Sequence, residues 1–114
     1  MKDKRDHMLY IDDMLTAICR ILEYTEGYDF IDFKHDYKTI DAVIRNFEII
    51  GEAAKSIPDV IKEQYPNVPW GEMYSLRNRI SHAYFGIDYE IIWEIITNNL
   101  LENKLQIEQI SKKN

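Results

Sequence analysis

The chain has 114 residues, 46 % of them hydrophobic, enough for one globular core; no apolar run approaches the roughly 18 residues that a membrane span needs. Fourteen basic against twenty acidic residues leave a net charge of −6, which argues against broad, sequence-independent binding of nucleic acid through many phosphates. The single cysteine, Cys19, excludes an intramolecular disulfide and a cysteine-based zinc site, and its apolar helical setting fits a reducing compartment. The N-terminal run Met1-Lys2-Asp3-Lys4-Arg5-Asp6 carries both signs of charge and no apolar stretch of a signal peptide, so a cytoplasmic protein is expected.

Apolar residues recur at three- and four-residue steps through most of the chain, the mark of amphipathic helices. A first helix is expected over about residues 3–25, with the stripe Met8, Ile11, Leu15, Ile18 and Leu22 and Gly27 as its stop. Residues 28–38 have a mixed pattern and read as a connection. A second helix follows over about 37–56, with Ile40, Val43, Ile44, Phe47, Ile50, Ala54 and Ile57 on its apolar side. Ser56-Ile57-Pro58-Asp59 has the form of a capping box opening a short helix through Gln64. Pro66 and Pro69 bound a turn, after which a helix is expected from Pro69 to Ala83 or Tyr84, closed by Gly86. Asp88 is a good N-cap for a last helix carrying Ile91, Ile92, Ile95, Ile96, Leu100, Leu101 and Leu105. The greasiness of that helix fits contact with two neighbours, a dimer interface, or both. No segment alternates with period two, so a sheet is not expected. The fold class expected is all-α: an up-and-down bundle of four to five helices in a single domain, 1–114.

The chemistry concentrates in Arg77-Asn78-Arg79-Ile80-Ser81-His82-Ala83-Tyr84. On an ideal helix with Arg77 at zero, Ser81 falls near 40°, Asn78 near 100° and His82 near 140°, while Leu76, Ile80 and Ala83 cluster on the far side at roughly −60° to −120°. The polar face therefore holds arginine, serine, asparagine, histidine and tyrosine with no ordinary solubilising glutamate or lysine. Such a face suits RNA cleavage without a metal, because the nucleophile is the ribose 2′-hydroxyl and the protein need only move protons and steady the phosphate. A histidine is the side chain suited to moving protons near neutrality, which His82 would supply; Arg77 offers a planar bidentate cation, and Asn78, one turn before His82, can orient the ring or hold a phosphate oxygen. One difficulty follows. About 140° between Arg77 and His82 is too wide to grip one phosphate. Either the helix distorts near its end, or two copies meet and Arg77 of one complements His82 of the other. The second arrangement would also concentrate Arg77 and Arg79 of both chains in one cleft, offsetting the acidic net charge.

Arg77-Asn78 followed by His82 resembles the Arg-x4-6-His signature of HEPN domains, and Tyr84 extends it to the Arg-x4-His-x-Tyr form of HepT-like toxins. Two further blocks are similar to that family: Ala42-Val43-Ile44-Arg45-Asn46-Phe47-Glu48-Ile49-Ile50-Gly51-Glu52-Ala53-Ala54-Lys55, and Pro69-Trp70 with Tyr84-Phe85-Gly86-Ile87-Asp88 and Trp93. The short motif alone is weak; three blocks in order over about residues 40–96 are not. The resemblance implies a HEPN-like bundle acting as a metal-independent endoribonuclease without cofactors, working as a homodimer with the active site near its two-fold axis, or as a higher oligomer. It implies catalytic roles for Arg77 and His82, supporting roles for Asn78 and Ser81, and the toxin part in a type VII-like toxin–antitoxin system. The implied partner is a minimal nucleotidyltransferase antitoxin that transfers AMP to Tyr84, placing negative charge beside Arg77 and blocking RNA. Arg79 is a candidate RNA contact.

Two rival readings are a non-catalytic HEPN module, binding nucleotide or RNA or serving as the substrate-binding subunit of the transferase, and a purely structural helical dimer. His7 and His35 have no partner pattern and read as surface residues, while Arg45, Asn46, Glu48 and Glu52 read as a structural network beneath the active helix. Trp70 and Trp93 read as core or interface anchors rather than base-stacking platforms. No His-x3-His or Glu-x2-His pair suggests a metal, and no glycine-rich loop suggests ATP binding.

Overall fold

The computed structural model of the chain describes residues 6–82 and 86–113, the side chains of residues 77, 80–82, 86, 87 and 113 excepted. Its first helix, α1 (His7–Tyr24), starts where the Asp6 carboxylate accepts the Met8 N–H at 3.1 Å. It ends at Thr25, whose hydroxyl donates to the Ile21 carbonyl at 2.9 Å, and the chain then turns through Gly27 at φ 79°, a left-handed conformation that favours glycine. The connection expected over 28–38 contains a five-residue helix, α2 (Phe30–Lys34). The side chains of Asp29 and Asp32 each accept the other's backbone N–H, at 2.8 and 3.2 Å, a capping box built on two aspartates.

The central helix α3 (Tyr37–Ser56) has the bounds that the sequence suggested. Its N-cap Asp36 accepts from the backbone N–H of Thr39 at 3.1 Å, from the Thr39 hydroxyl at 2.7 Å, and from the phenol of Tyr28. The hydrogen bond from Tyr28 is the largest cause holding the Asp36 carboxyl below its ordinary range, with those from Thr39 adding to it; the same bond raises the Tyr28 phenol. The link between the 25–29 turn and the start of α3 is thus favoured while Asp36 is ionised and Tyr28 is not.

The short helix α4 (Asp59–Gln64) lies where expected, but without the capping box. Ser56 stays inside α3, its hydroxyl donating to the Glu52 carbonyl at 3.1 Å, and Pro58 takes the N-cap with no side-chain bond. Beyond it come α5 (Trp70–Tyr74), α6 (Leu76–Ile80), a two-residue antiparallel pair β1 (Ser81–His82) and β2 (Gly86–Ile87), then α7 (Tyr89–Asn98) and α8 (Leu100–Lys113). The last expected helix is therefore two. The break falls at Asn99, after Thr97-Asn98, three residues of poor helix propensity in a row; the Thr97 hydroxyl bonds back to the Trp93 carbonyl at 2.9 Å.

The architecture is the all-α bundle expected, with the expected motif helix and last helix each broken and one short helix, α2, added. Helix α3 packs along α1 on one side and α5 on the other; α8 lies against α1, and α7 bridges α2, α6 and α8. Because α1 is covered by both α3 and α8, its buried face is broader than one stripe. Ile11, Met14, Ala17, Ile18 and Ile21 form it, while the predicted Met8, Leu15 and Leu22 are only half-buried at its margin. Val43, Phe47 and Ile50 from α3 meet Ile92 and Ile95 from α7 and Leu100, Ile107 and Ile110 from α8 in one core cluster. Phe33 of α2 is fully buried, its ring 5.2 Å from that of Trp93. Cys19, expected within the apolar pattern, is exposed on α1.

Gly51 on α3 faces the backbone of α5: a Cβ there would lie 3.3 Å from the Tyr74 carbonyl oxygen and 3.4 Å from that of Met73. Gly71 has open space around the same added atom. Gly71→Ala is therefore expected to stabilise the protein by about 0.5 kcal/mol through the unfolded chain. Gly51→Ala is expected to destabilise it by ~1 kcal/mol through overpacking. Equal gains for both in urea unfolding would show that α3 and α5 have room to spare.

Candidate active site

Trp70 fixes the segment that carries the motif. It is 8 % exposed, and its indole N–H donates to the Tyr65 carbonyl at 3.1 Å. Met73 and Leu76, three and six residues on, are buried as well, so α5 and the start of α6 lie down on α3. Between the two helices the chain breaks at Ser75, whose carbonyl accepts the N–H groups of both Asn78 (2.9 Å) and Arg79 (3.0 Å). Asn78 and Arg79 project from α6 as exposed residues.

The continuous helix expected to run to Ala83 or Tyr84 is not what forms. Helix α6 stops at Ile80, and Ser81 and His82 continue as an extended strand paired with Ile87 and Gly86, respectively. Serine and histidine are poor helix formers, and the ladder with Gly86 and Ile87 offers their backbone groups other partners. The wide helical angle between Arg77 and His82 consequently does not apply, because His82 is not on the helix. The side chains of Arg77, Ser81 and His82 lie outside the described part of the structure, as does the whole of Tyr84.

Asn78 opens onto a cleft of about 610 Å³ between α3 and α5, which it lines with Arg45, Glu48, Glu52, Lys55 and Tyr74. Four of these residues, Arg45, Glu48, Glu52 and Lys55, follow one another along α3 at steps of three, four and three, the polar counterpart of its apolar stripe. Arg45 Nη1 lies 3.6 Å from Glu48 Oε1, a loose pair with Arg45 71 % exposed, the kind that contributes little and opens readily. Lys55 Nζ lies 5.9 Å from the ring centroid of Tyr74. The cleft thus combines two cations, two carboxylates, an amide and a half-exposed phenol. The network expected beneath the motif is only partly there. Arg45, Glu48 and Glu52 do line the cleft, but Asn46 is buried on the α1 side, beside Asp13, Thr16 and Arg20, and donates to the Ala42 carbonyl at 2.8 Å. Lys55 and Tyr74 were not singled out as site residues in the sequence, although the 45-48-52-55 spacing and the four-residue step from Tyr74 to Asn78 were there to read.

Trp93 packs on Phe33 and Trp70 anchors α5, in keeping with anchoring roles for both. His35 is exposed, its Nδ1 3.0 Å from the Ile31 carbonyl, whereas His7 is half-buried at the start of α1, its Nδ1 3.5 Å from Asp6. Among the described residues no group of three or more His, Cys, Asp and Glu is placed to hold a metal ion, and no helix is long and apolar enough to cross a membrane.

The all-α helical bundle is that of a HEPN-like protein. The chain belongs to the HepT-like ribonuclease family, whose profile, described as "Ribonuclease HepT-like", matches residues 14–110. It is 42 % identical over 109 residues to "Probable ribonuclease HepT" of Thermococcus cleftensis, covering 96 % of this chain and 99 % of that protein. It is also 42 % identical over 109 residues to "Putative RNase MJ0127" of Methanocaldococcus jannaschii, covering 96 % and 90 % of the two chains. A bacterial relative, "Putative RNase TTE0752" of Caldanaerobacter subterraneus subsp. tengcongensis, is 36 % identical over 104 residues, 91 % of this chain and 93 % of its own. No solved structure matches the chain.

Proposed function

We propose that the protein is an endoribonuclease that cuts RNA without a metal, and the toxin of a toxin–antitoxin pair. The observation that carries this reading is the helix stop at Ile80 in a chain of the HepT-like family: it sets Arg77 and His82 on either side of a junction instead of on diverging faces of one helix. In the proposed reaction His82 takes the proton of a ribose 2′-hydroxyl as that oxygen attacks the adjacent phosphorus. The bond from phosphorus to the 5′ oxygen breaks, and the leaving oxygen takes up a proton, giving a 2′,3′-cyclic phosphate and a 5′-hydroxyl end. Arg77 neutralises the charge that builds on the phosphoryl oxygens, with Asn78 and Ser81 as hydrogen-bonding support. Arg79, exposed beside them, contacts the RNA strand.

The proposed working form is a homodimer, or a higher assembly of dimers, in which both copies of Arg77 and Arg79 share one cleft and offset the net charge of −6. A minimal nucleotidyltransferase is the proposed antitoxin, and Tyr84 the residue it would load with AMP; an added phosphate two residues from His82 would compete for the same arginine. The experiment is cleavage of single-stranded RNA by purified protein in excess EDTA. Cutting should persist and leave cyclic phosphate ends. Loss of cutting that magnesium restores would overturn the metal-free mechanism, and RNA left intact under both conditions would favour the non-catalytic binding module.

A further inference from the structure

The cleft between α3 and α5 has a composition that a bare phosphate site would not have. Arg45 and Lys55 bring positive charge, but Glu48 and Glu52 line the same space and cancel it. An isolated anion gains little there. A nucleotide unit fits better, because it brings an anion for the cations, N–H donors on the base edge for the carboxylates, and a flat aromatic face. Tyr74 supplies the matching surface: it is 51 % exposed and lines the cleft, with Lys55 Nζ 5.9 Å from its ring centroid. Gly51 lines the cleft as well, and its lack of a side chain lets α3 come close to the backbone of α5 beside Tyr74. A volume of about 610 Å³ is within the range of pockets that take small organic ligands.

We infer that this cleft seats the nucleotide next to the one being cut, with its base stacked on Tyr74, its phosphate near Lys55 and its base edge on Glu52. The placement follows from Asn78, which belongs both to the cleft and to the motif, one residue from Arg77. The inference rests on the ribonuclease reading for its substrate, but binding can be measured apart from cutting. Glu52 lines the cleft, and its carboxylate is the acceptor offered to the base edge. Guanine, with adjacent ring N–H and amino donors, suits a carboxylate best, so a guanine at that position should be preferred.

The test uses full-length protein and a short fluorescent RNA whose riboses are 2′-O-methylated, which removes the nucleophile. Tyr74→Ala and Lys55→Ala should each weaken binding roughly tenfold, within the range of one lost base–aromatic stack or phosphate contact, while Tyr74→Phe binds as wild type. Glu52→Gln should reduce the preference for guanine over adenine. On cleavable RNA, Tyr74→Ala should raise KM with kcat within about twofold of wild type, the signature of lost binding rather than lost chemistry. Circular dichroism on each variant checks that the exposed positions leave the fold intact. Unchanged binding by Tyr74→Ala and Lys55→Ala in a protein that still cuts RNA would overturn the cleft assignment and leave the ribonuclease standing. Equal loss in Tyr74→Phe would overturn stacking as the mode of contact. Tyr74-dependent binding without any cutting would support the cleft and overturn the ribonuclease reading, and absence of RNA binding by the wild type would overturn both.

Discussion

His82→Ala is expected to lower the rate of RNA cleavage by about 10²–10⁴-fold, the usual contribution of a positioned general acid or base. The substitution removes an imidazole from a two-residue strand whose backbone pairing with Gly86 does not depend on the side chain, so the helical signal and unfolding midpoint should stay close to wild type. Wild-type cleavage should also vary with pH across the range in which a histidine changes charge. Arg79→Ala, at an exposed position outside the proposed catalytic pair, should act mainly on KM. The comparison is made on purified protein with single-stranded RNA. A His82→Ala rate within twofold of wild type, or a flat profile from pH 5 to 9, would remove His82 from the chemistry and with it the present mechanism.

The second large effect concerns the fold. Phe47 lies near the middle of α3 with 1 % of its surface exposed, in the cluster where α3 meets the other long helices. Phe47→Ala is expected to cost about 3–5 kcal/mol, the range for deleting a buried phenyl ring and leaving a cavity behind. Against a typical domain stability of roughly 5–15 kcal/mol, that is enough to unfold a sizeable fraction of the protein at moderate temperature. Tyr37→Ala on the same helix, with Tyr37 73 % exposed, should change stability by no more than about 0.5 kcal/mol. Urea unfolding of both variants decides the matter: similar small shifts would mean that Phe47 is not a core residue.

What could be read from the sequence divides along physical lines. Helix α3 was legible because its amphipathic pattern runs through twenty residues, from about 37 to 56; its Asp36 cap emerged only in the structure. The family was legible because three blocks stand in order along most of the chain. Short-range competition was harder to see. Periodicity ran smoothly through Ser75, Ile80 and Asn99, yet each is a break, because a hydrophobic stripe can be continued by two short helices at a slight angle as well as by one long one. The two-residue ladder between Ser81–His82 and Gly86–Ile87 is too short to produce any alternation, so it left no trace in the pattern. Apolar periodicity also misjudged α1, where a second neighbour, α8, shifted the core towards Met14, Ala17 and Ile21. For the candidate site, the motif residues were visible from their chemistry. The cleft was not, because Lys55 and Tyr74 are ordinary residues until α3 and α5 are placed side by side.

The helix stop at Ile80 also bears on how much the motif can vary. Along an unbroken helix each inserted residue would swing the histidine through about 100° around the axis, and a spacing of four could not become five or six without pointing it elsewhere. Where the helix ends before the histidine, an added residue at the junction of Ile80 and Ser81 lengthens a strand-like tether instead. The backbone at Arg77 is held by the packing of α5 and α6 on α3, whereas His82 belongs to a paired strand, where an inserted residue can be taken up as a bulge. The Arg-x4-6-His signature that residues 77–82 resemble tolerates three spacings, which a helix–strand junction accommodates more readily than one rigid rod.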